Sequence, residues 1–195
     1  MDIQGVEAYI IEKLEESLSD TLFYHGLHHT MDVVNAALKL GMAEGITDEE
    51  SLTLLKTAAL YHDLGFISTY RGHEEEGCRI ARITLPNYNY SPAQIETICG
   101  MIAATQIPQS PKNHLEQIIA DADLDYLGRE DFWPIANSLY EELHEREMVA
   151  NVEAWNKIQI GFLENHKYWT STAQNWRNAS KQNRLDELKE IDSKV

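Results

Sequence analysis

Residues 47–65 read TDEESLTLLKTAALYHDLG, and this stretch decides the fold class. Thr47 is placed to cap a helix whose first turn carries Asp48, Glu49 and Glu50, where negative side chains offset the positive end of the backbone dipole. Leu54, Leu55, Ala58, Ala59 and Leu60 then supply the apolar surface of a buried helix, and Gly65 is where such a helix would end. The same spacing extends outward in both directions. Upstream, Val6, Ile10, Leu14 and Leu18 form one amphipathic stripe, and a second runs from about Met31 to Met42, stopping near Gly41 and Gly45. Downstream, the polar loop FISTYRG leads to a helix over roughly His73–Leu85, broken by Pro86 and the NYNYS run. Ser91-Pro92 opens the next helix, a serine cap with proline at the first position, and the prolines of TQIPQSPKN end it. His114 to about Leu127 reads as helical with Gly128 as its stop, and two or three more helices follow from Phe132 onward. No segment alternates as a strand would and no internal repeat is visible. The expected fold is all-α.

The chain has 195 residues, with 16 Lys+Arg against 32 Asp+Glu, a formal charge of −16. That length suits one domain, or one domain with a helical extension. Hydrophobic residues at 43% and charged ones at 25% are ordinary globular usage, which argues against wholesale disorder. The charge opposes binding to a nucleic-acid polymer or an anionic membrane. A small phosphorylated substrate stays open, because a metal ion and a few arginines can reverse the sign inside a pocket. No apolar run approaches the roughly 18 residues of a membrane span, and the opening MDIQGVEAYI lacks a basic segment followed by a continuous apolar one. The expected location is the cytoplasm. Cys78 and Cys99 have no metal-type spacing and are expected to be buried, reduced thiols.

Chemistry concentrates in three places. Three of the eight histidines fall in Tyr24-His25-Gly26-Leu27-His28-His29-Thr30. His62-Asp63 ends an otherwise apolar helix, where an ionised carboxylate loses several kcal/mol of hydration unless it is paired or metal-bound. A helix-end ion pair is the plainer reading of that dipeptide. Asp121, Asp123 and Asp125 cluster in IADADLD, among Leu, Ile and Ala residues that argue against full exposure. Like charges so packed raise one another's pKa unless a cation relieves them. Two imidazoles with two carboxylates suit a borderline divalent transition ion, with positions left open for water and substrate. Adjacent ligands cannot share one face of a regular helix, so His62 and Asp63 would converge only as their helix ends.

Taken in order, YHGLHHT, ALYHDLG and DADLDYLG resemble the HD-domain superfamily of metal-dependent phosphohydrolases over about Leu22–Gly128. The resemblance implies an HD-domain-like helical bundle with additional C-terminal helices: one domain over 1–195, its core at about 22–128 and an extension at about 129–195. It implies His29, His62, Asp63 and Asp123 as ligands of one divalent ion (Mn, Fe, Co, Ni, Zn or Mg), with a second, water-held ion left open. His29 is chosen over His28 because the family's ligand precedes the small residue of an H-T or H-A pair. Asp123 is chosen over its close rival Asp121 by the A-D-L context.

The run YHGLHHTMDV is also similar to the cyclic-nucleotide phosphodiesterases of the same superfamily. That similarity makes His25 the acid that protonates the leaving oxygen, on a helical turn that would face it the same way as His29. His73 fits the extra histidine of bimetallic members and is the second candidate for proton transfer. The later His-His pair of those members is missing, since that region reads Ala104-Thr105-Gln106. This favours one metal and counts against a di-iron oxygenase.

The implied reaction is hydrolysis of a small phosphate ester, a nucleotide above all, by metal-activated water that Asp63 or Asp123 can orient. Arg71 and Arg129 are candidates for phosphate contact, and Lys56 is a weaker one. The alternative is a catalytically silent nucleotide-binding or signalling module that keeps the pocket. His114, His144 and His166 have no partner pattern. Trp133, Trp155, Trp169 and Trp176 lie outside the motifs, to be read as helix packing, a homodimer contact or a platform for a nucleobase.

Overall fold

The protein is described by a computed structural model covering residues 1–194. Among the described residues all regular structure is helical: α1 (Ile3–Ser17), α2 (Leu27–Ala43), α3 (Glu49–Tyr61), α4 (His73–Thr84), α5 (Pro92–Thr105), α6 (His114–Asp123), α7 (Phe132–Glu145), α8 (Val152–Asn165) and α9 (Ser171–Asp192). Short 3-10 turns at Leu64–Ile67, Leu85–Tyr88 and Asp125–Gly128 join them. None of these helices is long and apolar enough to cross a membrane.

The chain forms two compact units. The first comprises Met1–Ser19 and His25–Asp123 and holds α1–α6; the second comprises Asp20–Tyr24 and the chain from Leu124 onward and holds α7–α9. In the first unit α3 is central, packed by α1, α2 and α5, while α6 lies on α2 and α5 and α4 lies on α5. The last turn of α3 is enclosed on all sides by its neighbours: Ala58, Ala59, Leu60 and Tyr61 are all inaccessible to solvent. His62 and Asp63 follow directly on this buried rod.

Several boundaries differ from the sequence expectation, each for a physical reason. Asp48, not Thr47, caps α3, its carboxylate accepting the Ser51 N–H at 2.7 Å. A charged cap at the positive end of the dipole outdoes a neutral hydroxyl. Helix α2 starts at Leu27 rather than near Met31, because His29 and Thr30 are themselves buried in its first turn. Helix α6 stops at Asp123 rather than near Leu127, where Leu124 (φ −107°, ψ 17°) leaves the helical region for a 3-10 turn. Helix α5 opens as expected, with Pro92 inside a full capping box in which Ser91 and Gln94 satisfy each other's backbone N–H. Replacing Ser91 by Ala is expected to cost about 1 kcal/mol, read as a lower denaturant midpoint with an unchanged slope.

The second unit has its own core, in which Tyr24, Leu127, Phe132, Ala136, Leu163 and Leu188 meet. Gly128 lets its turn press on α9: a Cβ there would lie 2.6 Å from the Arg177 carbonyl oxygen. Arg177 then grips the buried Asp125 carboxylate with two hydrogen bonds of 2.7 and 2.9 Å. Trp155 is buried and Trp133 half-buried in this unit, while Trp169 and Trp176 are exposed. Cys78 and Cys99, in the first unit, are buried free thiols.

Candidate metal centre

Helix termini deliver the four residues. His29 projects from the first turn of α2, His62 caps the C-terminus of α3, and Asp123 is the last residue of α6. Asp63 already lies outside the helix, at φ −106° and ψ 1°, so its side chain swings round to meet that of its neighbour. The convergence of adjacent residues at a helix end is therefore made by Asp63 itself. Gly65 is required for another reason, since a Cβ there would fall 2.0 Å from the His73 carbonyl oxygen. That glycine lets the turn after Asp63 lie directly against the start of α4.

Four side-chain atoms converge. His62 Nε2 lies 3.3 Å from His29 Nε2 and 3.1 Å from Asp63 Oδ2. His29 Nε2 lies 3.2 Å from Asp123 Oδ1 and 3.4 Å from Asp63 Oδ2, and His62 Nε2 is 3.5 Å from Asp123 Oδ1. His29, His62 and Asp63 are buried and Asp123 is nearly so. Asp121, the rival carboxylate, is fully buried earlier on α6, and the group that meets the imidazoles is that of Asp123.

These donors fit a divalent cation. Atoms bound at about 2.0–2.2 Å to one ion lie roughly 3–3.6 Å apart, which the spacings among His29, His62 and Asp123 match, and Asp63 Oδ2 lies in that range from both imidazoles. His62 Nδ1 is 2.8 Å from the Ala59 carbonyl oxygen, so it donates there and turns the Nε2 lone pair inward. Two imidazole Nε2 atoms face to face repel unless a proton or a metal sits between them and the carboxylates. Asp63 Oδ2 is buried with no hydrogen-bond partner of its own, the state of an oxygen whose partner is a cation.

Burial works against charge at His62, Asp63 and Asp123, and the ion pairs outweigh it. Burial would lower the His62 pKa, yet the Asp63 and Asp123 carboxylates hold it well above the usual imidazole value. Burial would raise the Asp63 pKa, yet His62 and its neighbours keep it far below the carboxylate range. The same balance brings Asp123 down to about 2. Without metal, a proton on His62 takes the cation's place. His62 then adds stability that is complete below its unfolded pKa and is lost as pH rises through the folded value. Asp123 adds stability that is present above its unfolded pKa and is lost as pH falls through the folded one. For this cluster the metal-free protein is expected to be most stable between about pH 4 and 6.5. Metal uptake should expel the His62 proton, so affinity is expected to rise with pH. Calorimetry in buffers of different ionisation enthalpy reads that proton directly.

Around the cluster stands an aromatic group. His73 begins α4 with Nε2 3.4 Å from Asp63 Oδ1 and 3.5 Å from Glu74 Oε1, and Nδ1 3.4 Å from the Tyr70 carbonyl oxygen. His25 is not on the α2 turn as expected: it lies in the bend before Gly26, the N-cap, because the extended backbone of Gly26 delays the helix until Leu27. Its ring still comes within 6.1 Å of that of His29. Phe66 stacks on both His25 and His73, a contact with no sequence signal beyond its place directly after HDLG. Glu74, which carried no signal in the sequence, is buried against His73.

The remaining candidates are placed as follows. His28 is exposed, as is Arg71 in the loop before α4, where its carbonyl accepts the Thr69 hydroxyl. Arg129 belongs to the second unit and is bound to Asp131 at 2.8 Å, with Asp125 3.8 Å away. Lys56 pairs with Glu7. His114 pairs with Glu44, while His144 and His166 contact the Val149 carbonyl and Lys181.

The sequence profile of the HD domain matches residues 26–125, a little over half of the chain. The chain belongs to the HD domain family. Among solved structures it is similar to a predicted HD superfamily hydrolase from an uncultured Thermotogales bacterium, with a TM-score of 0.59 at 18% identity over 96% of this chain and 91% of the other. That likeness extends the shared fold beyond the HD domain itself. No curated protein matches the sequence.

Proposed function

We propose that this HD-domain protein is a metal-dependent phosphohydrolase acting on a small phosphate ester, with nucleotides as the favoured class. The observation that carries the reading is the meeting of the His29 and His62 Nε2 atoms with the Asp123 carboxylate at 3.2–3.5 Å, with Asp63 Oδ2 3.1 and 3.4 Å from the same two imidazoles. A divalent cation held there supplies Lewis acidity, acidifying water and offsetting phosphoryl charge. The rest falls to the protein's own residues. Asp63 presents Oδ2 to the cluster and Oδ1 to His73, so His73 fixes the carboxylate's orientation. Both ring nitrogens of His73 face protein acceptors, and His25, whose ring centroid lies 6.1 Å from that of His29, is the proton donor to the leaving oxygen in this reading. Of the two arginines Arg71 is the better suited to phosphate, because Arg129 already serves two carboxylates. A net charge of −16 fits a small substrate better than a nucleic-acid polymer.

The test is to measure bound metal in the purified protein and then assay chromogenic phosphomonoesters and phosphodiesters, followed by nucleotides, with Mn, Co, Ni or Mg added. Metal-dependent phosphate release supports the reading. Tight metal binding with no turnover on any ester favours the silent binding module instead. In the same assay His25→Ala should keep its metal yet lose about 100-fold in turnover, most with poor leaving groups. An equal loss for good and poor leaving groups would remove its role as acid.

A further inference from the structure

We propose that Phe66 is a positioning residue that fixes the imidazoles of His25 and His73 beside the metal centre. The kinetic part of this inference rests on the hydrolase reading; the placement itself does not. The Phe66 ring centroid lies 4.2 Å from that of His25 and 3.9 Å from that of His73, with interplanar angles of 29° and 20°. Tyr70 closes the group, edge-on to Phe66 at 5.2 Å and to His25 at 6.2 Å. Offset stacking of this kind favours one ring orientation over others.

His25 stands in a bend and His73 at the first position of α4, so neither has a preceding helical turn to restrict its side chain. They come from distant parts of the sequence, and Phe66 touches both. The backbone sets the register: Gly65, one residue earlier, abuts the His73 carbonyl so closely that the two segments cannot slide apart without losing contact. Phe66 is also only 8% exposed. Its ring is covered by imidazoles and is not a shelf on which a nucleobase could stack. It touches none of the four converging donor atoms through any of these contacts, so its effect should reach the histidines and leave metal binding alone.

The test compares Phe66→Leu with Phe66→Tyr in the full chain. In metal-free protein carrying carbon-13-labelled histidine, the imidazole C–H resonances of His25 and His73 should be displaced upfield in the wild type. The displacement should be lost in F66L and kept in F66Y. All three proteins should bind the same amount of added Mn. In the phosphatase assay F66L should lose about tenfold in kcat with KM within about twofold, and F66Y should stay near wild type. Unchanged imidazole resonances in F66L would overturn the proposal, as would a loss confined to KM or an equal loss in F66L and F66Y. If F66L does not fold, F66M is measured in its place against the same criteria. If the wild type hydrolyses no phosphate ester, the functional reading fails, while the resonances still decide the role of Phe66.

Discussion

Replacing His62 by Ala should strip the protein of its metal and abolish turnover. His62 is the hub of the cluster, with Nε2 facing His29, Asp63 and Asp123 at 3.1–3.5 Å. Loss of an outer-shell partner costs about 10–100-fold in metal affinity, and loss of a direct donor should exceed that. The fall should therefore be more than about 100-fold, measured by titration with Mn or Ni. The substitution also withdraws positive charge from two buried carboxylates, which should then titrate closer to ordinary values, so a melting curve must accompany the titration. Asp63→Asn keeps the shape and removes the charge. It should lose metal to a similar degree while retaining the fold, which separates ligation from packing. Full metal content in both variants would show that the ion, if there is one, is held elsewhere.

Gly65→Ala should be the most damaging substitution of a residue that contributes no donor. A methyl group there would meet the His73 carbonyl oxygen at 2.0 Å and its carbonyl carbon at 2.7 Å, both backbone atoms that cannot rotate away. Relief requires moving the start of α4 or the 3-10 turn at Leu64–Ile67. Overpacking of this kind costs about 3 kcal/mol or more, equivalent to a fall of roughly 10 °C in Tm for a chain of this size. Displacing His73 also removes the partner of Asp63 Oδ1, so activity should fall in the protein that remains folded. Gly72, which adopts φ +72° with no atom within 4 Å of a Cβ, offers a contrast in which strain arises from the backbone alone. A Gly65→Ala protein with wild-type melting and activity would show that this contact is not close in solution.

The legible and illegible parts of this protein differ in physical kind. The central helix was readable because its apolar residues are continuous, and its acidic start is local chemistry. The serine-proline opening of α5 was readable for the same reason, since a capping box involves residues only three apart. His62-Asp63 stood out as charge at the end of a buried rod. By contrast, the convergence of His29 and Asp123 on that pair is set by how α2 and α6 cross α3, and spacing along the chain carries no record of it; only the family resemblance pointed there. Gly65 was read as a helix stop, whereas the structure shows it to be a point of contact with a segment it meets only in the fold. His25 was placed on a helix that begins two residues later, because periodicity does not register the extended Gly26. Phe66 had no signal at all, since one aromatic residue after a glycine is unremarkable until two imidazoles are found on its ring.

The most direct measurement is an anomalous-difference map from crystals of the protein loaded with Mn or Ni, collected at the absorption edge of that metal. One strong peak per chain, within coordination distance of the His29 and His62 Nε2 atoms and of the Asp63 and Asp123 carboxylates, is the predicted result. A peak at other residues, or none at these four under saturating metal, would contradict it.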